Sequence, residues 1–186
     1  TRIVLLGYGA IHRRVVQCLR ERSSPVDVVG VINRHEVNDD MQGFASITDA
    51  SQLEALKPDM VLEAATREAV VQWGKIALRS TRKLVVSSGS AFTDEALLSH
   101  LRQCAREHGS QLVLSPGAIA GMDALSAAAR LGLREVRHRI IKSPVSWGAA
   151  GNSTEHPTHA NAALTLFKGS AREAARQKAA VSCRPQ

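Results

Sequence analysis

The 186-residue sequence is short of three things: cysteine, aromatic side chains and long apolar runs. Its cysteines are Cys18, Cys104 and Cys183. They are odd in number, far apart and without C-x-x-C spacing. That excludes a disulfide framework or a cysteine-built zinc site, and it fits a reducing compartment. Aromatic residues make up 3% of the chain, so stacking platforms for nucleic-acid bases are scarce. No apolar run approaches the ~20 residues that span a bilayer. The opening Thr-Arg-Ile-Val-Leu-Leu enters a strand-like pattern without the layout of a signal peptide. A cytoplasmic protein with no membrane partner is therefore expected. With 44% hydrophobic and 22% charged residues, the composition also excludes disorder.

Acidic charge runs short in one part only. Residues 1–110 carry 14 basic and 13 acidic side chains, whereas residues 111–186 carry 10 and 4. Of the net charge of +7, all but one unit therefore belongs to the last part of the chain. Such a surface suits a nucleic acid, a small dianionic substrate or plain solvent. The scarcity of aromatics weighs against the first, and no nucleic-acid partner is expected.

The first 115 residues alternate between two periods. Apolar or β-branched runs at 2–6, 26–32, 60–63, 84–87 and 111–114 read as strands. Between them, residues 10–22, 53–56, 67–79 and a stretch opening at Thr93-Asp94-Glu95 read as helices. Asp49 is placed to cap the second, Pro58 to end it, and Gly109 to stop the fourth. This alternation predicts an α/β fold, a doubly wound parallel sheet with helices on both faces. The pattern changes at Ser115-Pro116-Gly117. A small-residue helix over 121–131, a basic strand over 133–142, a loop over 143–161, a short strand over 164–167 and a helix over 170–181 follow. We read 1–115 as a dinucleotide-binding domain and 116–186 as a smaller, incomplete α+β domain for substrate and catalysis. The second part holds little apolar material and would be marginal alone, which points to association into a homo-oligomer.

The dinucleotide reading rests on Gly7-Tyr8-Gly9-Ala10-Ile11-His12, set between a strand and a helix. Gly7 allows the tight turn, Gly9 lets a pyrophosphate approach, and the helix amides of Ala10 and Ile11 face it. The sheet is then of the Rossmann type. His12 stands where a third glycine normally allows close helix–strand packing. It is either a structural replacement or a phosphate contact. After the second strand, Asn33-Arg34 replaces the acid that binds a ribose hydroxyl in NAD-preferring sites. Arg34 suits a 2′-phosphate, an adenine face or simply solvent. NAD or NADP is the expected cofactor. Glu63 and Ser87-Ser88-Gly89 fall at C-terminal strand edges, where cofactor and substrate contacts belong.

Several stretches together resemble one family. They are Gly7-Tyr8-Gly9-Ala10-Ile11, Glu63-Ala64-Ala65, Ser87-Ser88-Gly89-Ser90-Ala91 and Lys142-Ser143-Pro144-Val145-Ser146-Trp147. More discriminating are Gly117-Ala118-Ile119-Ala120-Gly121-Met122-Asp123-Ala124-Leu125 and Phe167-Lys168-Gly169-Ser170-Ala171-Arg172-Glu173-Ala174. From residue 3 to about residue 176 the chain resembles L-aspartate dehydrogenase. The resemblance implies NAD(P)-linked oxidative deamination of L-aspartate to oxaloacetate and ammonia, through iminoaspartate that can feed NAD biosynthesis. It places Ala118 beside the nicotinamide. It also implies an Asn-x-Asn-Val-Ala-Ala stretch and a catalytic acid/base histidine further along, for which residues 176–186 hold no counterpart. The chain thus reads as truncated relative to the family, with no residue to receive the histidine's role. His156 and His159, in a loop-like tract, are the substitutes within reach of that role; a metal site is not expected, since no third ligand joins them. Arg137, Arg139 and Lys142 are candidates to bind a dicarboxylate, Arg137 and Arg139 sharing one face of the expected strand. Two other readings stay open: a dinucleotide-binding member of the family without catalysis, and a related imine reductase.

Overall fold

The computed structural model describes residues 1–33, 43–117, 119–141 and 167–174. The chain divides into two compact units, Thr1–Ala120 and a second beginning at Gly121.

The first unit is a six-stranded sheet. Its strands are β1 (Arg2–Leu6), β2 (Asp27–Ile32), β3 (Ala45–Ile47), β4 (Met60–Glu63), β5 (Lys83–Val86) and β6 (Gln111–Leu114). The order across the sheet is β3-β2-β1-β4-β5-β6, and every pairing is parallel. The chain therefore winds outward from β1 to β3, returns to the far side of β1, and winds outward again. This is the doubly wound, Rossmann-type sheet that the alternating pattern predicts.

Side-chain alternation along β1 separates two cores. Ile3 and Leu5 pack with Val16 and Val31 on the face covered by α1 (Ala10–Glu21). Val4 and Leu6 join the larger cluster that holds Leu53 of α2 (Ala50–Ala55), Val70, Trp73, Ala77 and Leu78 of α3 (Arg67–Ser80), and Leu101 of α4 (Glu95–Glu107). The buried positions of α3 recur at intervals of three and four, the period of a one-faced helix. Gly74 lets α3 approach α4, since a Cβ there would stand 3.0 Å from Leu101 Cδ2. Each fully buried Leu or Val contributes about 1.5–3 kcal/mol by leaving water.

Three helices start on a side-chain cap. Asp49 Oδ1 accepts from the Gln52 amide at 3.0 Å, and Thr66 Oγ1 accepts from that of Ala69 at 3.3 Å. Asp94 Oδ1 accepts from the amides of Ala96 and Leu97, both at 3.1 Å. The expected cap at Asp49 and the expected start at Thr93-Asp94-Glu95 are both present. Among the helices of the first unit α1 is the exception: Gly9 is its N-cap residue and offers no side chain.

His12, in the place of the third glycine, is 3% exposed. Its Nδ1 lies 2.7 Å from the Gly7 carbonyl oxygen. A carbonyl only accepts, so Nδ1 carries the proton and the ring closes the turn from inside. Of the two roles open to it, His12 takes the structural one.

Two expectations fail. β3 is an additional strand, three residues long, of which only Ile47 is buried. The basic strand expected over 133–142 is absent: residues 133–141 form no ladder. Its apolar and basic residues alternate as in a strand, but an extended segment holds that form only when a neighbour takes its backbone hydrogen bonds. No described segment does so. In the second unit, α5 (Met122–Ala129) follows Gly121, which stands at φ +73°. Leu131, Val136 and Ile141 are exposed. Residues 171–174 are helical, behind a capping box in which Ser170 Oγ accepts from the Glu173 amide and the Glu173 carboxylate accepts from the Ser170 amide. Among the described residues, no helix is long and apolar enough to cross a membrane.

Replacing Asp94 by Ala leaves two amides of α4 without their acceptor. We expect a loss of about 1 kcal/mol, read as a lower urea midpoint at unchanged slope. His12 titrates the fold differently. Burial depresses its pKa below the ordinary 6.5, against weaker opposing effects of the Gly7 carbonyl and the Glu63 charge. Below that value the unfolded chain takes up a proton that the folded chain refuses. Its contribution is thus fully present above about pH 6.5 and is lost as pH falls. Urea unfolding between pH 5 and 7 should show a flatter pH slope for His12→Asn, which keeps a donor and does not titrate.

Candidate functional site

The register of the sheet aligns Ile32, Leu6, Glu63, Val86 and Leu114 in one row across its C-terminal edge. Gly7, Asn33, Ala64, Ser87 and Ser115 each follow one of these residues directly. The turns that they open are the edge where open α/β sheets bind ligands, at the point where the winding reverses between β1 and β4.

Gly7 is the tightest point. Its φ is +88°, and a Cβ there would lie 2.6 Å from Ala65 Cβ and 3.2 Å from Ala65 Cα. Both the conformation and the space require glycine. The Gly7 amide donates to Ile32 O at 2.8 Å, which ties the turn to the end of β2. Gly9 differs: beyond its chain neighbours, no described residue lies within 4 Å of the position its Cβ would take. The backbone is bare there, and the space in front of it is open.

Behind Gly9, α1 begins with no side-chain cap and no acid in its first turn. Its first free amides, with the positive end of the helix dipole, are oriented toward that open space. Ala10 adds little bulk, and Ile11 is exposed at 61%, an apolar side chain held in the open at the mouth of the turn. An anion with an apolar neighbouring group fits this arrangement: bare backbone, free amides and one exposed aliphatic. The residues present fit a dinucleotide.

Tyr8 and the segment before β3 build the flank near β2. The Tyr8 and Phe44 rings meet edge to face at 6.1 Å, with Arg13 over Tyr8 and Arg20 over Phe44.

Glu63 is the residue that sequence reasoning placed correctly and understood least. It lies at the strand edge as expected, but its carboxylate is turned inward and is 1% exposed. Oε1 accepts from the Ala65 amide at 2.8 Å and the Ser88 hydroxyl at 2.6 Å. Oε2 accepts from the amides of Ser87 at 3.1 Å and Ser88 at 2.9 Å. The signal was present in the sequence: an acid closing an apolar strand, with Ser-Ser-Gly closing the next.

Of the other expected site residues, the structure describes only Arg137 and Arg139. Arg34, Ala118, Lys142, His156 and His159 lie outside the described residues. Arg137 pairs with Glu135, two residues away, through Nε to Oε1 at 2.8 Å and Nη2 to Oε2 at 3.1 Å. Arg139 is exposed. The shared strand face expected for Arg137 and Arg139 does not exist, because the strand does not form. Among the described residues, no group of three His, Cys, Asp or Glu is placed to hold a metal ion. An open groove lined by Thr1, Asp59, Arg82, Lys83 and Gln111 lies at the N-terminal ends of the strands, the edge such sheets do not use for ligands.

Comparison with known proteins agrees with this geometry. The family described as homoserine dehydrogenase, NAD binding domain, matches residues 7–115. L-Aspartate dehydrogenase of Brucella anthropi is 40% identical over 177 residues, covering 93% of this chain and 66% of that protein. L-Aspartate dehydrogenase of Serratia proteamaculans is 35% identical over 178 residues, covering 94% and 67%. The chain thus spans about two thirds of the length of these curated relatives. Among solved structures, aspartate dehydrogenase from Thermotoga maritima superposes with a TM-score of 0.54 at 21% identity, covering 68% of this chain and 50% of that one. Biliverdin reductase from Synechocystis, solved with biliverdin and NADP+, gives 0.53 at 20%, covering 70% and 42%. These superpositions speak for the fold. The glycine turn, the domain match over residues 7–115 and the identity to the curated relatives together place this chain in the L-aspartate dehydrogenase family, with an NAD-binding domain at its start.

Proposed function

We propose that the protein binds NAD or NADP across the β1–β4 switch point and takes part in the oxidative deamination of L-aspartate to oxaloacetate and ammonia, through iminoaspartate. The product imine would supply a step of NAD biosynthesis. The observation that carries the cofactor part is the bare, uncapped start of α1 behind Gly7 and Gly9. The reaction is supported by the 35–40% identity to L-aspartate dehydrogenases.

In this reading Gly7, Gly9, Ala10 and Ile11 hold the pyrophosphate, and Ile11 lends an apolar edge. Arg34 takes the adenosine end and Ala118 the nicotinamide end. When bound, the nicotinamide accepts the hydride from the substrate. Residues 1–115 form the cofactor domain and 116–186 the substrate domain, where Arg139, Lys142 and Arg137 are cations for the two carboxylates. Arg137 must then exchange Glu135 for substrate. This ion pair is well exposed, where solvent screens the attraction, so the exchange is inexpensive. His156 and His159 are the residues proposed for proton transfer. The substrate domain is also the surface through which the chain would form a homo-oligomer in the cytoplasm.

The two glycines separate fold from binding. Gly9→Ala adds a methyl group into open space at φ −86°, a conformation alanine adopts freely. It should leave stability within about 0.5 kcal/mol of wild type while weakening NADH or NADPH by about tenfold or more, read by fluorescence titration. Gly7→Ala, strained and obstructed, should cost about 1–3 kcal/mol in urea unfolding as well as the binding. Turnover tests the reaction itself. The purified chain should oxidise NADH or NADPH only when oxaloacetate and ammonia are both supplied. Binding without turnover would assign this chain the dinucleotide-binding role and remove the catalytic one. Turnover of a cyclic imine instead would replace aspartate as the substrate.

A further inference from the structure

We propose that Glu63 is a positioning residue for the nicotinamide half of the cofactor cleft, a role that rests on the dinucleotide reading above. Glu63 sits in the same cross-sheet row as Leu6, Ile32 and Val86, each of which is packed into the apolar core. A carboxylate in an apolar row is costly unless its oxygens are satisfied. Here they are satisfied by four donors from two different turns: Ala65 after β4, and Ser87 and Ser88 after β5. The Ser87 amide is shared with the Glu63 main-chain oxygen at 3.0 Å. One side chain thus ties the turns after β4 and β5 to each other.

The same side chain reaches the glycine turn through Ala65. Its Oε1 holds the Ala65 amide, and the Ala65 methyl group is the surface against which Gly7 is pressed. The Ala64 amide donates to Leu6 O at 3.3 Å beside it. The position of Glu63 therefore sets that of Ala65, and Ala65 bounds the turn that presents α1. In a doubly wound sheet the two halves of a dinucleotide lie on opposite sides of the switch point. The β2 side belongs to one half, and the turns after β4 and β5 belong to the other. Gly7 is anchored to the β2 side independently, through Ile32 O. Loss of the Glu63 clip should therefore loosen one half of the cleft more than the other.

Glu63→Gln tests this, because the amide group turns one of the two acceptors into a donor facing donors. The full chain is titrated with NADH and NADPH, and with ADP-ribose and its 2′-phosphate as fragments without nicotinamide. We expect Glu63→Gln to weaken the intact dinucleotide about tenfold while the fragment changes less than about twofold. Ser88→Ala, which removes one donor and disturbs the fold less, should shift the same ratio in the same direction by a smaller factor. Circular dichroism and cooperative thermal unfolding show whether each variant is folded. Should Glu63→Gln fail to fold, the Ser88→Ala ratio decides. An equal loss of dinucleotide and fragment, or no loss of either in a folded variant, overturns the positioning role. If the wild-type chain binds neither dinucleotide nor fragment, the cofactor reading itself falls, and this proposal with it.

Discussion

Gly7 meets Ala65 with no room between them, and the C-terminal edge of the sheet is arranged around that contact. At φ +88° the chain reverses directly after Leu6, in a space that a single Cβ would overfill. The closeness follows from topology. β1 and β4 are parallel neighbours, and each is followed by a helix that must leave at once for its own face of the sheet. Two chains turning away from adjacent strand ends cross at short range, and only a residue without a side chain allows it. The position and aim of α1 depend on this turn, and with them the uncapped helix start that suits an anion.

The helix caps show the same division. α2, α3 and α4 each have one or two first-turn amides bonded to a cap side chain, that of Asp49, Thr66 and Asp94 respectively. α1 forgoes a side-chain cap, and with glycine at that position this costs only about a few tenths of a kcal/mol relative to a helix that has one. That cost is offset elsewhere along the helix: Val16 is buried against Ile3, Leu5 and Val31, and His12 fastens the first turn to Gly7 from inside. Stability of α1 thus comes from its buried side, and its outward amides remain available. A cap residue at position 9 would stabilise the helix and occupy the site.

Most of this frame was legible in the sequence because its causes are local. The period of the apolar residues, the cap at Asp49, the acids at Asp94 and Glu95 and the two glycines each act within a few residues of themselves. What failed depends on partners. β3 is three residues long with a single buried side chain, too little for a periodic signal, and it exists because β2 offers a ladder. Residues 133–141 carry the alternating pattern and lack the ladder, so the pattern yields no strand. The site divides in the same way. Gly7 and Gly9 are readable from what glycine permits, and His12 only as a departure from the usual third glycine. The inward turn of Glu63 depends on donors more than twenty residues away, at Ser87 and Ser88, whose placement beside β4 is a fact of strand order.

That placement also bears on charge. A dinucleotide brings a pyrophosphate to an edge where an acid closes the neighbouring strand, and an exposed carboxylate there would repel it. The four donors on Glu63 draw its charge inward and compensate it with dipoles. The amides of Ala65, Ser87 and Ser88, which would otherwise point into the cleft as rival anion sites, are engaged in doing so. Of the two helices that leave the switch point among the described residues, α3 has a side-chain cap at Thr66 and an acid in its first turn, whereas α1 has neither, so the positive helix end at the glycine turn is the less compensated one. An acid inside the edge is thus compatible with anion binding, because it takes up the donors that would compete with the glycine turn.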